Sequence, residues 1–186
     1  MTGVTRVGVC RRRWWTGAAL VVVVSVTPGA MPELAAGQLQ APRSGLIGNP
    51  GGPFSVSLVA DAPVPIRVGS RFRLRLSSSS AGYASLYVLD PAYSVRVLAE
   101  NLPLAAGSLG YPDDLMLVAE QPVGFNTVIL LVTRQPFSGF AGNATLTNPV
   151  SLALGSGEFV SQLNRATGAL PLNSWAVAEL GIRVVG

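Results

Sequence analysis

The sequence predicts an all-β fold, mainly an antiparallel β-sandwich, with one short α-helix near the C-terminal end. Three observations carry this. From residue 54 onward, short runs that alternate apolar and polar residues are separated by clusters of Gly, Pro, Asp and Ser, the pattern of half-buried strands and turns. One run, residues 126–133 (NTVILLVT), is apolar on both faces and reads as a central strand. Helical spacing of apolar residues is found at residues 157–165, where Phe159, Val160 and Leu163 make one stripe.

In chain order, the first element is a secretion leader. Arg6, Arg11, Arg12 and Arg13 precede an apolar core at residues 18–26 (AALVVVVSV), which Pro28-Gly29-Ala30 ends. Charge, apolar core and small residues, in that order, predict a signal peptide over residues 1–30, cut near Ala30 or Ala36. The stretch is shorter than the about 20 apolar residues of a membrane span, so no stable span is expected after cleavage. Arg11-Arg12-Arg13-Trp14-Trp15 also fits the loose twin-arginine pattern. General secretion and twin-arginine export both stay open, and either leads to the periplasm or the exterior. Residues 31–53, rich in Gly, Pro and small polar residues, predict a linker or irregular coil.

A single β-sandwich domain is expected over residues 54–186. Residues 54–60 (FSVSLVA) alternate as a half-buried strand, and Asp61-Ala62-Pro63 ends it. Residues 71–76 (RFRLRL) place Phe72, Leu74 and Leu76 on one face and three arginines on the other. Residues 83–89 and 94–98 flank Asp90-Pro91 and predict a hairpin. Residues 114–119 give another short strand. The doubly apolar strand at 126–133 needs cover on both faces, and a sandwich supplies only one. The helix at 157–165, with Ser156 as its expected cap and Gly168 as its stop, is one candidate cover and a partner protein is the other. Residues 175–185 close the domain, with a bulge expected at Gly181.

Composition excludes much chemistry. The chain has no histidine and no lysine, and its one cysteine, Cys10, lies in the leader. A His-assisted nucleophile, a thiolate, a Schiff-base lysine and the usual zinc shell each need a residue type the mature chain lacks. No cofactor and no disulfide is expected, so core burial supplies the stability. The net charge of +4 is carried by the leader arginines, because arginines and acids balance beyond Ala30. A near-neutral domain lacks the concentrated cationic surface that displaces counterions from phosphates, and nucleic acid is not an expected partner.

Residues 67–101 (RVGSRFRLRLSSSSAGYASLYVLDPAYSVRVLAEN) run as VG, an alternating strand, GY, an apolar strand, a D-P turn, a second strand and a terminal asparagine. This order resembles the bacterial family catalogued as domain of unknown function 4384, and Thr133-Arg134-Gln135-Pro136 matches that family's later T-x-x-P. Ser70 stands where an acid is common, Ala92-Tyr93 replaces a Gly-containing turn, and Ala99-Glu100-Asn101 replaces an F-P-N-like end. The resemblance implies an extracytoplasmic β-rich accessory module and transfers no catalytic residue.

The candidate binding surface is the arginine stripe Arg71, Arg73 and Arg75, extended by Arg67 and by Arg96 on the neighbouring hairpin. Guanidinium forks pair with phosphate and carboxylate, although the same stripe also suits a solvated strand face. Asp113-Asp114 reads as a turn opening a strand, and Tyr83 and Tyr87 share a face as core aromatics or a sugar platform. Gly155-Ser156-Gly157 lacks the nucleophile-elbow frame. Asn143-Ala144-Thr145 is formally a glycosylation sequon. The expected function is that of a non-catalytic exported accessory module of the cell envelope, contacting a protein or an anionic surface polymer. A carboxylate-based hydrolase or lyase and a carrier of a small apolar ligand between the sheets are the alternatives.

Overall fold

Alternation along one strand decides the first layer. In a computed structural model that describes residues 44–49, 51–52, 54–106, 109–110, 116–142 and 144–186, β3 (Arg71–Ser78) buries Phe72, Leu74 and Leu76 and exposes its arginines. The leader, Asp113-Asp114 and Asn143 lie outside the described residues. On one side β3 pairs antiparallel with β1 (Val56–Asp61), and on the other with β6 (Leu109–Gly110) and β7 (Met116–Val118). These four strands form sheet A.

Sheet B is wider. Its order is β2 (Ile66–Arg67), β10 (Trp175–Val185), β8 (Gly124–Thr133), β4 (Gly82–Leu89), β5 (Val95–Leu104) and β9 (Val150–Leu152). All neighbours in it are antiparallel except β2 and β10. The fold is thus an all-β, mainly antiparallel sandwich, and its one described helix, α1 (Ser156–Gly168), precedes the last strand. Among the described residues no helix is long and apolar enough to cross a membrane.

Strand β8 lies between the two cores. Val128, Leu130 and Val132 pack toward sheet A with Leu74, Leu76 and Leu86. Ile129 and Leu131 point the other way, onto Tyr87, Phe159, Leu163 and Trp175. Residues 128–132 are at most 2% exposed. The doubly apolar strand is therefore covered from within the chain, by sheet A on one face and by α1 with Phe137, Ala141 and Ala144 on the other.

Local details depart from the sequence reading at two points. Gly155, not Ser156, is the N-cap of α1, with no side-chain cap; the Ser156 N–H instead donates to the Tyr93 carbonyl at 2.9 Å. This contact comes from the hairpin turn, where Tyr93 adopts φ 64. Gly181 is not a bulge, since β10 and β8 keep one register from Trp175 opposite Thr133 to Val184 opposite Gly124. The irregular pairing lies between β4 and β5, on both sides of Leu86. The part of the Gly/Pro-rich stretch described at residues 44–49 is coil, as read, and is held by side-chain amides: Asn164 bonds Ile47 N and Gly45 O, and Asn49 Nδ2 donates to the carbonyls of Leu172 and Trp175.

The outer layer is pinned by a buried acid. Glu100, 8% exposed, accepts hydrogen bonds from Phe140 N (2.8 Å), Ala141 N (3.0 Å) and the Tyr87 hydroxyl (3.1 Å). Beside it Asn101, at φ 57, a conformation asparagine tolerates, clasps Phe137 through both its N–H (2.7 Å) and its carbonyl (2.9 Å). A buried carboxylate is tolerable only when so bonded. Burial, joined by the charge of Glu100, pushes the Tyr87 hydroxyl above its ordinary value of 10.0.

Two measurements test this anchor. A Cβ on Gly139 would run into the Glu100 carboxylate, so Gly139→Ala should cost about 2 kcal/mol in urea denaturation, and well under about 1 kcal/mol when Glu100→Ala is already present. Because Tyr87 keeps its proton in the fold where the unfolded chain loses it, its contribution is whole below about pH 10 and declines above. The stability difference between wild type and Tyr87→Phe should therefore shrink by up to about 1.4 kcal/mol per pH unit above pH 10.

Candidate binding surfaces

The outward face of sheet A is built by register. Directly paired residues share a face, so Arg71 stands beside Val118, Arg73 between Met116 and Asp61, and Arg75 beside Val59. Strand rise puts successive arginines about 6.7 Å apart. The Arg75 guanidinium is 3.0 Å from the Asp61 carboxylate. Arg71 and Arg73 have no acidic partner among the described residues. Val59, Met116 and Val118 are large apolar side chains left about half exposed (50%, 43% and 48%), with no layer covering their face among the described residues. Three cations against one carboxylate, interleaved with apolar groups, make a linear amphiphilic ladder in a domain whose overall charge is balanced.

Arg96 is elsewhere. It lies on β5 of sheet B, on the strand face that looks toward sheet A, and its guanidinium pairs with Glu120 at 2.9 Å. Arg67 is on β2, also in sheet B. The structure brings Arg71, Arg73 and Arg75 together and leaves Arg67 and Arg96 off their face, because β3 and the β4–β5 hairpin belong to different sheets.

Arg96 instead marks the rim of a cleft between the sheets, about 280 Å³ in volume. Sheet B is wider than sheet A, and where β1 ends opposite Arg73 the upper layer thins to Phe72 and β7. Phe72, Leu117 and Ala119 form the roof, and Val88, Leu98, Val128 and Ile182 form the floor. Asn126 shares the inward face of β8 with Val128. Its Nδ2 is buried and has no hydrogen-bond partner. Sequence reasoning passed over Asn126; the signal was a lone amide two residues before Val128, on the apolar face of the central strand.

The remaining candidates resolve into structure. Tyr87 is fully buried and in tilted contact with Phe159, ring centroids 5.0 Å apart, so it is core. Asp90 and Glu120 both line the cleft, but Asp90 accepts from Ala92 N, Ser94 N and the Ser94 hydroxyl, and Glu120 holds Arg96. No group of three or more Asp, Glu, His or Cys able to hold a metal occurs among the described residues. A depression of about 460 Å³ between the end of β8 and the end of α1 is lined by loop residues, and the guanidinium of its Arg134 sits 5.8 Å from the Phe54 ring centroid. Set against known proteins, the chain matches no family model, no curated protein and no solved structure.

An orphaned buried donor carries its desolvation penalty into the fold. Asn126→Leu, which removes that donor at nearly the same shape, should raise the unfolding free energy by about 1 kcal/mol in urea denaturation. The semi-exposed Arg96→Ala should change it by less than about 1 kcal/mol.

Proposed function

We propose that this chain is a non-catalytic, exported binding module that holds an extended anionic polymer along the outward face of sheet A. One observation carries the reading. Among the described residues Arg71 and Arg73 form no ion pair, on a strand whose side chains repeat every about 6.7 Å, so their guanidinium forks can engage successive phosphates or carboxylates of one chain. Val59, Met116 and Val118 flank them and offer apolar contact to the polymer backbone or its substituents. The leader at residues 1–30 supports an envelope or extracellular setting, where such polymers occur.

Two further points support a binding role over catalysis. The carboxylates that share the inter-sheet cleft are each engaged, Asp90 by its own turn and Glu120 by Arg96. Glu100, the buried acid, spends its oxygens on two backbone amides and a tyrosine. The resemblance of residues 67–101 to the family of unknown function points toward an accessory module as well, and contributes no residue to this surface.

The reading is tested with linear polyphosphate and, as a neutral control, dextran. The chain should bind polyphosphate at low salt, lose affinity as salt rises, and ignore dextran. Arg71→Ala with Arg73→Ala should weaken binding at least about tenfold, the equivalent of about 1.4 kcal/mol, while Arg96→Ala should leave it unchanged. Equal losses from the two variants, measured by titration calorimetry, would remove the face from consideration.

A further inference from the structure

We infer that the cleft between the sheets is a second, separate binding site, for a small molecule with a flat apolar body and one hydrogen-bond acceptor. Two independent observations meet there. The first is unfilled apolar space. A cleft of about 280 Å³, open to solvent at its rim, lies beneath Phe72 and Leu117, with an apolar roof and floor. An apolar cavity of about 150 Å³ holds benzene, so this one has room for a body of about two fused rings.

The second observation is Asn126. Buried donors are almost always bonded, and the residues that follow Asn126 on its face of β8, Val128, Leu130 and Val132, are all apolar. Its Nδ2 lies buried among the lining side chains without a partner. Nδ2 is not itself exposed in the cleft, so a carbonyl, ether or hydroxyl oxygen delivered there satisfies it by drawing the amide outward from the wall; the polar end of the ligand is then fixed at Asn126 and the apolar body at Val128, Leu98 and Ile182. At the rim Arg96 and Glu120 are paired at 2.9 Å, and Asp90 adds a carboxylate bonded into its own turn. An anion would meet that carboxylate and a charged ligand of either sign would have to break the pair, which favours a neutral one. The site differs from the arginine ladder in chemistry and in strand face, and it does not depend on that reading.

A matched pair of probes tests it. 2-Acetylnaphthalene and 2-ethylnaphthalene have nearly the same shape, and only the first carries an acceptor. The wild-type chain should bind the acetyl compound with a Kd of the order of 10–100 μM and the ethyl compound about tenfold more weakly. In two-dimensional NMR the Asn126 side-chain amide should shift with the first and not with the second. Asn126→Leu should bind both compounds equally, Ala119→Leu, which fills the roof, should bind neither, and Arg71→Ala with Arg73→Ala should bind as wild type does. The inference is overturned if neither compound binds the wild type below about 1 mM, or if the acetyl preference survives in Asn126→Leu. Should Ala119→Leu fail to fold by circular dichroism, the Asn126→Leu comparison decides alone, because that substitution removes an unpaired buried donor and keeps the core.

Discussion

Everything in this fold answers to the two-sided burial of β8. A strand with Val128, Leu130 and Val132 on one face and Ile129 and Leu131 on the other withdraws about 1.5–3 kcal/mol of apolar transfer free energy per side chain from water, and it gains this only if both faces are covered. Sheet A covers the first face. The second requires an extra layer, which α1 supplies through Phe159, Val160 and Leu163, and residues 137–144 complete it through Phe137, Ala141 and Ala144. A loop has little packing of its own to hold it on a sheet, and here it is tied down. Glu100 and Asn101 reach from β5 and bond Phe137, Phe140 and Ala141, so an ionisable group buried at a cost fixes the apolar layer that β8 needs.

The elements readable from sequence were those whose pattern is local. The alternation of β3, the Asp90-Pro91 hairpin, the double apolarity of β8 and the helical stripe of α1 depend on residues a few positions apart, and each appears where the pattern puts it. What was not readable depends on register. In a regular strand Glu100 would share a face with Leu98 and Arg96. The pairing of β4 with β5 slips on both sides of Leu86, with Ala84 opposite Leu102, Leu86 opposite Ala99 and Tyr87 opposite Val97. These irregularities turn Glu100 to the Tyr87 side, where it becomes an anchor. The same kind of non-local fact separates Arg96 from Arg71, Arg73 and Arg75. Neighbouring elements in sequence, β3 and the β4–β5 hairpin, look like neighbours in space, but the chain crosses from one sheet to the other between Ser78 and Gly82.

The cleft follows from the same geometry. A six-stranded sheet facing a smaller one leaves part of its inner face without a partner layer. The shortfall falls beyond the end of β1, where Phe72 and the three-residue β7 cross it. Asn126 lies at that margin, opposite Ile182 on β10. Had the amide been on Thr127's face, it would have pointed toward the helical layer. One position along the strand decides between the two.

Strand β7 is where the two proposed surfaces meet. Met116 and Val118 point outward beside Arg73 and Arg71, while Leu117 points inward to the cleft opposite Phe72. Adjacent residues on a strand project to opposite sides of the sheet, so Leu117 serves the cleft alone, while Met116 and Val118 flank the arginines and also border the cleft. The backbone they share is short and bonded along β3 from Arg71 to Arg73. Parity along β3 and β7 sets the chemistry: Arg71, Arg73, Met116 and Val118 on the outward parity, and Phe72 and Leu117 on the inward one. A polymer recognised by charge and a small neutral molecule recognised by shape and one hydrogen bond then occupy opposite sides of one thin sheet, with Met116 and Val118 of β7 at the border of both.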